Sequence, residues 1–551
     1  MILSSNHPNS WQVRSRRGPS KRVTRIVNVY QPQRLSTGEI PQGFGDYIRG
    51  SLSVLQTATK LGIEFDMAIH HPLAQWLRPV ADYKISLGEI KFIATHQGCI
   101  KALNQCLTST LFVYVHAFPD PVSESDRTFV WTRLQPNDSM AQYRAEVYAS
   151  LKIVPRQYEV IHVRCGDHHI QDLHRHFQTN EYESYTDAPS FLVREALARM
   201  RPGTTYVVLS DNAALKRAIR DQFDGAIVRE SEILHLGTSE TFAAAGVRDT
   251  LLDFYLITDA ARVTAFSTYS HGSGFSQWAC ELRNVPYTCT FCSNAQLTVV
   301  YKTYGADLPW IKYSLQSLQK FVVYYTSLVL YCHDEAVAEL HTLLDELSLV
   351  ATVIPVTYTM HGYIQQMVVK AESYKDIDTP YVVILDSDVV FTASFDLRTL
   401  VDGKIHWTYS TQHTLPGASE WKVWKSAYEA MTRTSQTMHF MSNHFPFVLT
   451  RASMETAAVE FQRMHGMNYS EFCRARLQQL NIAVGACIRE NFEALATVFE
   501  EFEWLGFSCM HHSPHDYTFS TSSIRKVPCK QFWSHGGIDA VQEELKIALS
   551  M

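Results

Sequence analysis

No stretch of this chain is long and apolar enough to cross a bilayer: the longest such run, Phe321 to Cys332, falls far short of the roughly 20 residues that a spanning helix needs. The opening Met-Ile-Leu-Ser-Ser-Asn-His-Pro lacks the apolar core of a secretory signal, so a soluble, cytoplasmic chain is expected. Excess positive charge is missing as well. With 49 Lys and Arg against 55 Asp and Glu, the formal net charge is -6, which leaves no global basic field and excludes generic nucleic-acid binding. Regular cysteine spacing is absent too. The 11 cysteines are odd in number and irregularly placed, as expected of reduced core thiols rather than a disulfide framework. Cys289 and Cys292 form one C-x-x-C, but no second pair follows at zinc-ligand spacing, so they read as part of a linker.

What is present is ordinary globular composition, 46% hydrophobic and 19% charged over 551 residues, which suits three or four structural units at about 100–200 residues each. Residues 1–24 carry Arg14, Arg16, Arg17, Lys21 and Arg22 without an acidic residue, and read as a flexible basic leader. Beyond it, short β-branched runs alternate with amphipathic helical patterns, the signature of βα units and parallel sheets. A strand over Arg25–Tyr30, a loop containing Gly43-Phe-Gly45-Asp46 and a helix from Tyr47 to about Leu61 open a first lobe, residues 25–150. Strands over Tyr158–Arg164, Thr205–Ser210 and Arg262–Phe266 mark a second lobe, residues 151–290. A linker over Pro286–Asn294 leads to a third domain, residues 295–551, in which the strand Tyr381–Leu385 runs straight into Asp386-Ser-Asp388. The expected fold is therefore α/β: two Rossmann-like lobes followed by a further α/β domain.

His162-Val-Arg164-Cys-Gly166-Asp167 sits at the end of an apolar strand, where α/β folds place their ligand sites. A guanidinium there can clamp a phosphate through two parallel hydrogen bonds, and the glycine lets the backbone approach closely. Two further segments follow in order, Val208-Leu-Ser210-Asp211 and Ser267-Thr-Tyr-Ser270-His-Gly-Ser273-Gly-Phe275-Ser276-Gln-Trp278. The hydroxyls and small residues that open a helix near Ser276 expose backbone N–H groups suited to a diphosphate. The set resembles the three peptide motifs of GDP-fucose-dependent α1,2-, α1,6- and protein-O-fucosyltransferases with the GT-B fold: H-x-R-x-x-D, a second ending in S-D, and S-x-F-S-x-W. The loop at Gly43 and Gly45 is similar to their donor-binding glycine loop. The resemblance implies that Arg164 contacts the β-phosphate and stabilises the GDP leaving group, and that His162 and Asp211 contact the nucleoside. It also implies that Ser273 and Ser276 lie at the phosphates, with Phe275 in the donor site, and that this half needs no metal. Asp167, His168, His169 and Asp172 all follow the arginine as candidate bases, Asp172 falling where some of these enzymes carry a carboxylate base.

In the third domain, Asp386 and Asp388 occupy alternate positions at a strand end and can share one hard divalent cation, Mn²⁺ or Mg²⁺, which would neutralise a departing diphosphate. Gly362-Tyr-Ile-Gln365-Gln366-Met-Val-Val-Lys370 precedes that strand, and Phe499-Glu-Glu501-Phe-Glu503-Trp-Leu-Gly506 follows it. Together they resemble a GT-A-type glycosyltransferase family from polysaccharide loci with Q-Q on a helix, D-x-D and F-x-E-Y-E-x-Y-G. The resemblance implies donor contacts from Gln365 and Gln366. Glu501 and Glu503 would alternate on an extended segment as acceptor-side carboxylates, the other reading being a charged face of a helix over Asn491–Trp504. His535 is the candidate third metal ligand. The chain thus reads as a bifunctional glycosyltransferase, with a GDP-fucose-like donor in one half, a second nucleotide sugar in the other and a glycan or glycoprotein acceptor. The alternative is one catalytic half beside a glycan-binding scaffold. A glycoside hydrolase with paired carboxylates needs none of the diphosphate-type motifs and ranks well below both.

Overall fold

The computed structural model describes residues 23–31, 43–79, 83–165, 188–230, 236, 244–411, 418–434, 438–440, 445–521, 527–532, 538 and 541–550. The chain divides into two compact units, Met1–Cys292 and Ser293–Met551. Among the described residues, no helix is long and apolar enough to cross a membrane.

The first unit contains two parallel sheets. Strands β1 (Arg25–Tyr30), β2 (Glu64–Ile69), β3 (Lys91–Ile93) and β4 (Thr110–Val115) form one in the order β2-β1-β4-β3. The other runs β7-β6-β5-β8-β9, from β5 (Glu159–Arg164), β6 (Tyr206–Ser210), β7 (Ala226–Val228), β8 (Arg262–Ser267) and β9 (Tyr287–Phe291). Strand β5 is buried along Val160–Val163, as expected of a central parallel strand covered on both faces. The expected linker departs from this reading: residues 287–291 are the edge strand β9, paired in parallel with β8. Its partly exposed Tyr, Thr and Cys side chains lack the apolar run that marks a central strand, which is why the sequence reads as a lapse in pattern.

The helix Phe44–Leu61 follows β1 and buries Phe44, Tyr47, Ile48, Leu52 and Val54. It ends at Gly62, whose left-handed φ of 64° lets its N–H reach the last carbonyls. Across the unit, Tyr30 Oη donates to the Leu236 carbonyl.

In the second unit β10 (Leu297–Thr303), β11 (Ser327–His333), β12 (Thr352–Val356) and β13 (Tyr381–Asp386) are parallel, in the order β12-β11-β10-β13. The strand Phe447–Thr450 closes the sheet antiparallel to β13. The helices Leu308–Phe321, Val337–Leu347 and Gly362–Glu372 connect successive parallel strands, burying Ile311, Leu315, Leu340, Leu344, Ile364 and Met367. The expected helix over Asn491–Trp504 is instead two, Ile488–Leu495 and Glu501–His512.

Candidate functional site

The strand order of the β5 sheet reverses direction between β5 and β8, which in α/β sheets opens a crevice at the carboxyl ends of the strands. Register aligns the motif residues there: Val163 pairs with Ser210, and Arg164 with Ser267. A cleft lies at this edge, and Gly43, Gly45, His162, Arg164, Asp211, Ser273 and Phe275 all line it. Sequence positions more than 200 apart thus meet on one surface.

Arg164 Nη1 is ion-paired with Asp211 Oδ2, and Asp211 Oδ1 accepts from the Cys165 N–H at 2.8 Å. Asp211 is 7% exposed and serves as a bracket that fixes the guanidinium and the loop after β5. Asp211 thus lines the cleft while bonded to the arginine, an arrangement that adds a bracing role to the nucleoside contact expected of it. Thr268 Oγ1 donates to the Cys165 carbonyl at 2.7 Å, tying the β8 loop to the same turn. Tyr269 stands beside the arginine, its ring centre 5.8 Å from the guanidinium carbon.

His162 Nδ1 lies 3.0 Å from Ser276 Oγ, and Ser276 is fully buried. Ser276 consequently stands behind the cleft wall rather than at the phosphate position expected of it. Burial pushes the His162 imidazole down to about 4, so it is neutral at pH 7.

Two helices begin at the cleft. Phe44–Leu61 starts after Gly43 and Gly274–Arg283 after Ser273, and neither of these N-cap residues makes a side-chain capping bond. Among the described residues no N-cap side chain therefore closes either helix start, and a helix N-terminus favours an anion. The two termini touch: a methyl on Gly45 would overlap the Gly274 carbonyl and lie 2.5 Å from the Phe275 nitrogen. Gly45 thus acts by letting the helix ends approach. Asp46 lies in the first turn of the Phe44 helix. Burial raises its carboxyl pKa, opposed by Arg49, whose Nη1 is 3.0 Å away.

Leu236, Thr250 and Asp253 also line the cleft and were not singled out from sequence. The helix Ala244–Thr258 supplies the last two, and Arg229 holds Asp249 and Asp253 at 3.1 and 2.8 Å. Two aspartates four positions apart in a largely apolar helix were the available signal. Asp167, His168, His169 and Asp172 lie outside the described residues.

In the second unit the carboxyl end of β13 carries Asp386 next to β10, where Lys302 is its register partner. Lys370, on the helix Gly362–Glu372, places Nζ 2.5 Å from Asp386 Oδ1 and 3.1 Å from Glu501 Oε1. Burial works against the Lys370 charge, yet the Asp386 and Glu501 carboxylates hold its pKa above the usual lysine range. Ser387 Oγ donates to Asp307 Oδ2 at 3.1 Å. Burial, reinforced by Asp388 and Asp386, pushes the Asp307 carboxyl up to about 6. Burial also pushes the Lys302 ammonium down to about 8. Asp388 Oδ1 accepts from Gln531 Nε2 at 3.3 Å.

Glu501 and Glu503 are neither on an extended segment nor on a solvated helix face. Both lie fully buried in the first turn of the helix Glu501–His512, Glu501 toward Lys370 and Glu503 Oε2 accepting from the Phe440 N–H at 3.1 Å. Glu500 caps that helix by accepting from the Glu503 N–H at 2.7 Å, and burial, with Glu501 and Glu503 beside it, raises its pKa well above the carboxylate range. Gln365 is also buried: its Nε2 donates to the Thr357 carbonyl at 2.6 Å and its Oε1 accepts from the Thr359 N–H at 3.2 Å, so it braces the loop before its helix. Gln366 is partly exposed on the same helix. His535 lies outside the described residues, and among those described no three His, Cys, Asp or Glu side chains converge to hold a metal ion.

Residues 304–496 match the model of a family of unknown function, DUF6492. A search of curated proteins returns no match. Among solved structures, the chain is similar to the α1,6-fucosyltransferase NodZ co-crystallised with GDP, at 13% identity and a TM-score of 0.29, over 49% of this chain and 96% of that one. Fucosyltransferase NodZ from Bradyrhizobium gives 12% identity and a TM-score of 0.28, over 47% of this chain and 93% of that one. Likeness this low leaves the chemistry to be read from the cleft itself.

Proposed function

We propose that the first unit transfers a sugar from a GDP-linked donor of the GDP-fucose type to a glycan or glycoprotein acceptor. One observation carries the reading: Arg164, braced by Asp211, and the starts of two helices converge on one cleft at the switch point of a parallel sheet. A diphosphate needs compensating positive charge, and here a fixed guanidinium and backbone N–H groups supply it without a metal ion. The same groups stabilise the charge that grows on the leaving diphosphate as the glycosidic carbon departs. Asp211 keeps the guanidinium from reorganising during that step. Asp253, held by Arg229, and Thr250 line the same cleft and are the candidate contacts to the base of the donor.

For the second unit we propose a GT-A-type glycosyltransferase that takes a second nucleotide sugar, with a Mn²⁺ or Mg²⁺ ion at the Asp386–Asp388 corner neutralising the diphosphate. Asp386 and Asp388 are its candidate holders by their alternate positions at the strand end, and among the described residues no third His, Cys, Asp or Glu side chain converges with them. A second reading makes this unit a glycan-binding scaffold. The ion pair that already occupies Asp386 favours it.

A thermal-shift panel of GDP- and UDP-sugars, with and without Mn²⁺, tests both units on the full chain. Metal-independent stabilisation by GDP and GDP-fucose supports the first assignment, and stabilisation by UDP-sugars alone contradicts it. A metal-dependent shift abolished by Asp386→Asn supports the second unit as a transferase. Its absence across the panel favours the scaffold.

A further inference from the structure

The first parallel sheet has a switch point of its own, because its order β2-β1-β4-β3 reverses between β1 and β4. There β4 runs into the loop that carries His116 and Phe118, and the helix Phe44–Leu61 packs against it so closely that a methyl on Gly50 would overlap the Val115 carbonyl. The contact sets Arg49 beside that loop, its guanidinium carbon 4.2 Å from the centre of the Phe118 ring and its Nη1 3.0 Å from Asp46 Oδ1. Phe118 is 64% exposed, yet its loop is braced: His96 Nε2 lies 2.9 Å from the Phe118 carbonyl, and Gln56 Oε1 accepts from the Asp120 N–H at 2.8 Å. A ring held in place at the surface offers a contact face at little cost in ordering. Asp46 and Arg49 keep 26% and 13% of their side chains exposed, so the pair is fixed and still open to a ligand. In the same corner Arg49 Nε and His116 Nε2 are buried without a hydrogen-bond partner among the described residues, so its polarity exceeds what these residues satisfy among themselves. The neighbourhood continues into the donor cleft: Tyr269, next to Arg164, stacks on His271 with ring centres 5.2 Å apart, and His271 is near enough for its charge to act on the Asp46 carboxyl.

We propose that Asp46, Arg49 and Phe118 form a subsite for a pyranose ring of the acceptor, an inference that rests on the donor reading of the first unit. A pyranose has an apolar C–H face and a rim of hydroxyls, so it suits one aromatic surface beside a few fixed polar groups. Phe118 takes the C–H face on the side of its ring away from Arg49. The guanidinium donates to hydroxyl oxygens and Asp46 accepts from hydroxyl protons, while the ion pair between them keeps both side chains from reorganising. Both charged residues lie in the first two turns of the helix that starts after Gly43, which sets the sugar next to the diphosphate end of the cleft, where transfer requires it.

Saturation-transfer NMR on the full chain loaded with GDP tests it, with the methyl glycosides of glucose, galactose, mannose and N-acetylglucosamine as probes. At least one glycoside should bind, with the strongest transfer to the ring protons of one face. Phe118→Ala should weaken that binding at least about threefold, the scale of one lost aromatic contact, and Arg49→Met at least about tenfold, the scale of a lost charge-assisted hydrogen bond. The GDP affinity of Phe118→Ala, read by calorimetry, should stay within about twofold of wild type. Arg49→Lys, which retains a charge for Asp46 without the planar fork, takes the place of the Met variant if that chain does not melt cooperatively. A wild type that binds GDP but none of the glycosides, or glycoside binding that survives both substitutions, overturns the subsite and leaves the donor reading standing. A wild type that binds no GDP overturns both.

Discussion

Asp211→Asn isolates the brace behind Arg164. The substitution keeps the size of the side chain and an oxygen for the Cys165 N–H, which now bonds to Oδ1 at 2.8 Å, but removes the charge that faces Arg164. A hydrogen bond to a charged partner contributes about 1.5–3 kcal/mol, and stranding a buried partner costs about 3–5 kcal/mol. Arg164 retains 17% side-chain exposure, so partial hydration lowers the expected loss to about 2–3 kcal/mol. At about 1.6 °C per kcal/mol for a unit of this size, the melting temperature of the first unit should fall by about 3–5 °C. Saturating GDP should narrow that gap, because a phosphate replaces the missing carboxylate as the partner of the guanidinium. Differential scanning calorimetry of wild type and variant, with and without GDP, reads both effects. An unchanged melting temperature, or a gap that GDP leaves untouched, would refute the claim that Asp211 holds Arg164 for a phosphate.

Gly45→Ala should force apart the helix starts at Gly45 and Gly274, costing about 1–3 kcal/mol of stability and at least about tenfold in GDP affinity; an intact affinity in calorimetric titration counts against the close approach. His162 has its pKa depressed by burial from 6.5 to about 4, so the unfolded chain protonates first as pH falls. Its stabilising contribution is complete above pH 6.5 and drains away down to about pH 4, and His162→Gln should flatten the decline in denaturant midpoint across that window. In the second unit, a methyl on Gly506 would overlap the Phe440 ring, with Cδ1 at 2.7 Å. Overpacking of about 1–3 kcal/mol should exceed the helix-propensity gain of about 1 kcal/mol, so Gly506→Ala should lower the thermal stability of that unit rather than raise it.

The long, apolar strands were legible because burial on two faces leaves continuous runs: Arg25–Tyr30 is read from sequence with the bounds it has in the fold. Strands β3 and β7 span three residues each and offer no period to detect, and β2 mixes Glu64 and Asp66 into its run. The motif loops around Arg164, Asp211 and Ser273 could be found because strand-end polar residues stand out against apolar neighbours. Their partnerships could not: whether Asp211 faces a ligand or Arg164 depends on the register of β5 and β6. The Glu500–Glu503 segment failed for a related reason. Acidic residues at alternate positions read as acceptor-side carboxylates or as a charged helix face, and the lysine that offsets one of them lies 131 positions away. Gln365 likewise carries a motif pattern whose cause is local, since both ends of its amide are taken by residues 357 and 359.

The central claim is that the cleft at Arg164 receives a guanosine diphosphate without a metal ion. Its most direct measurement is isothermal titration of GDP into the full chain in the presence of EDTA, for wild type and Arg164→Ala. The account predicts saturable one-site binding by the wild type that weakens about 10²-fold or more in the variant, the scale of losing one principal charge-stabilising donor. Binding that requires added Mn²⁺, or that survives Arg164→Ala undiminished, would contradict it.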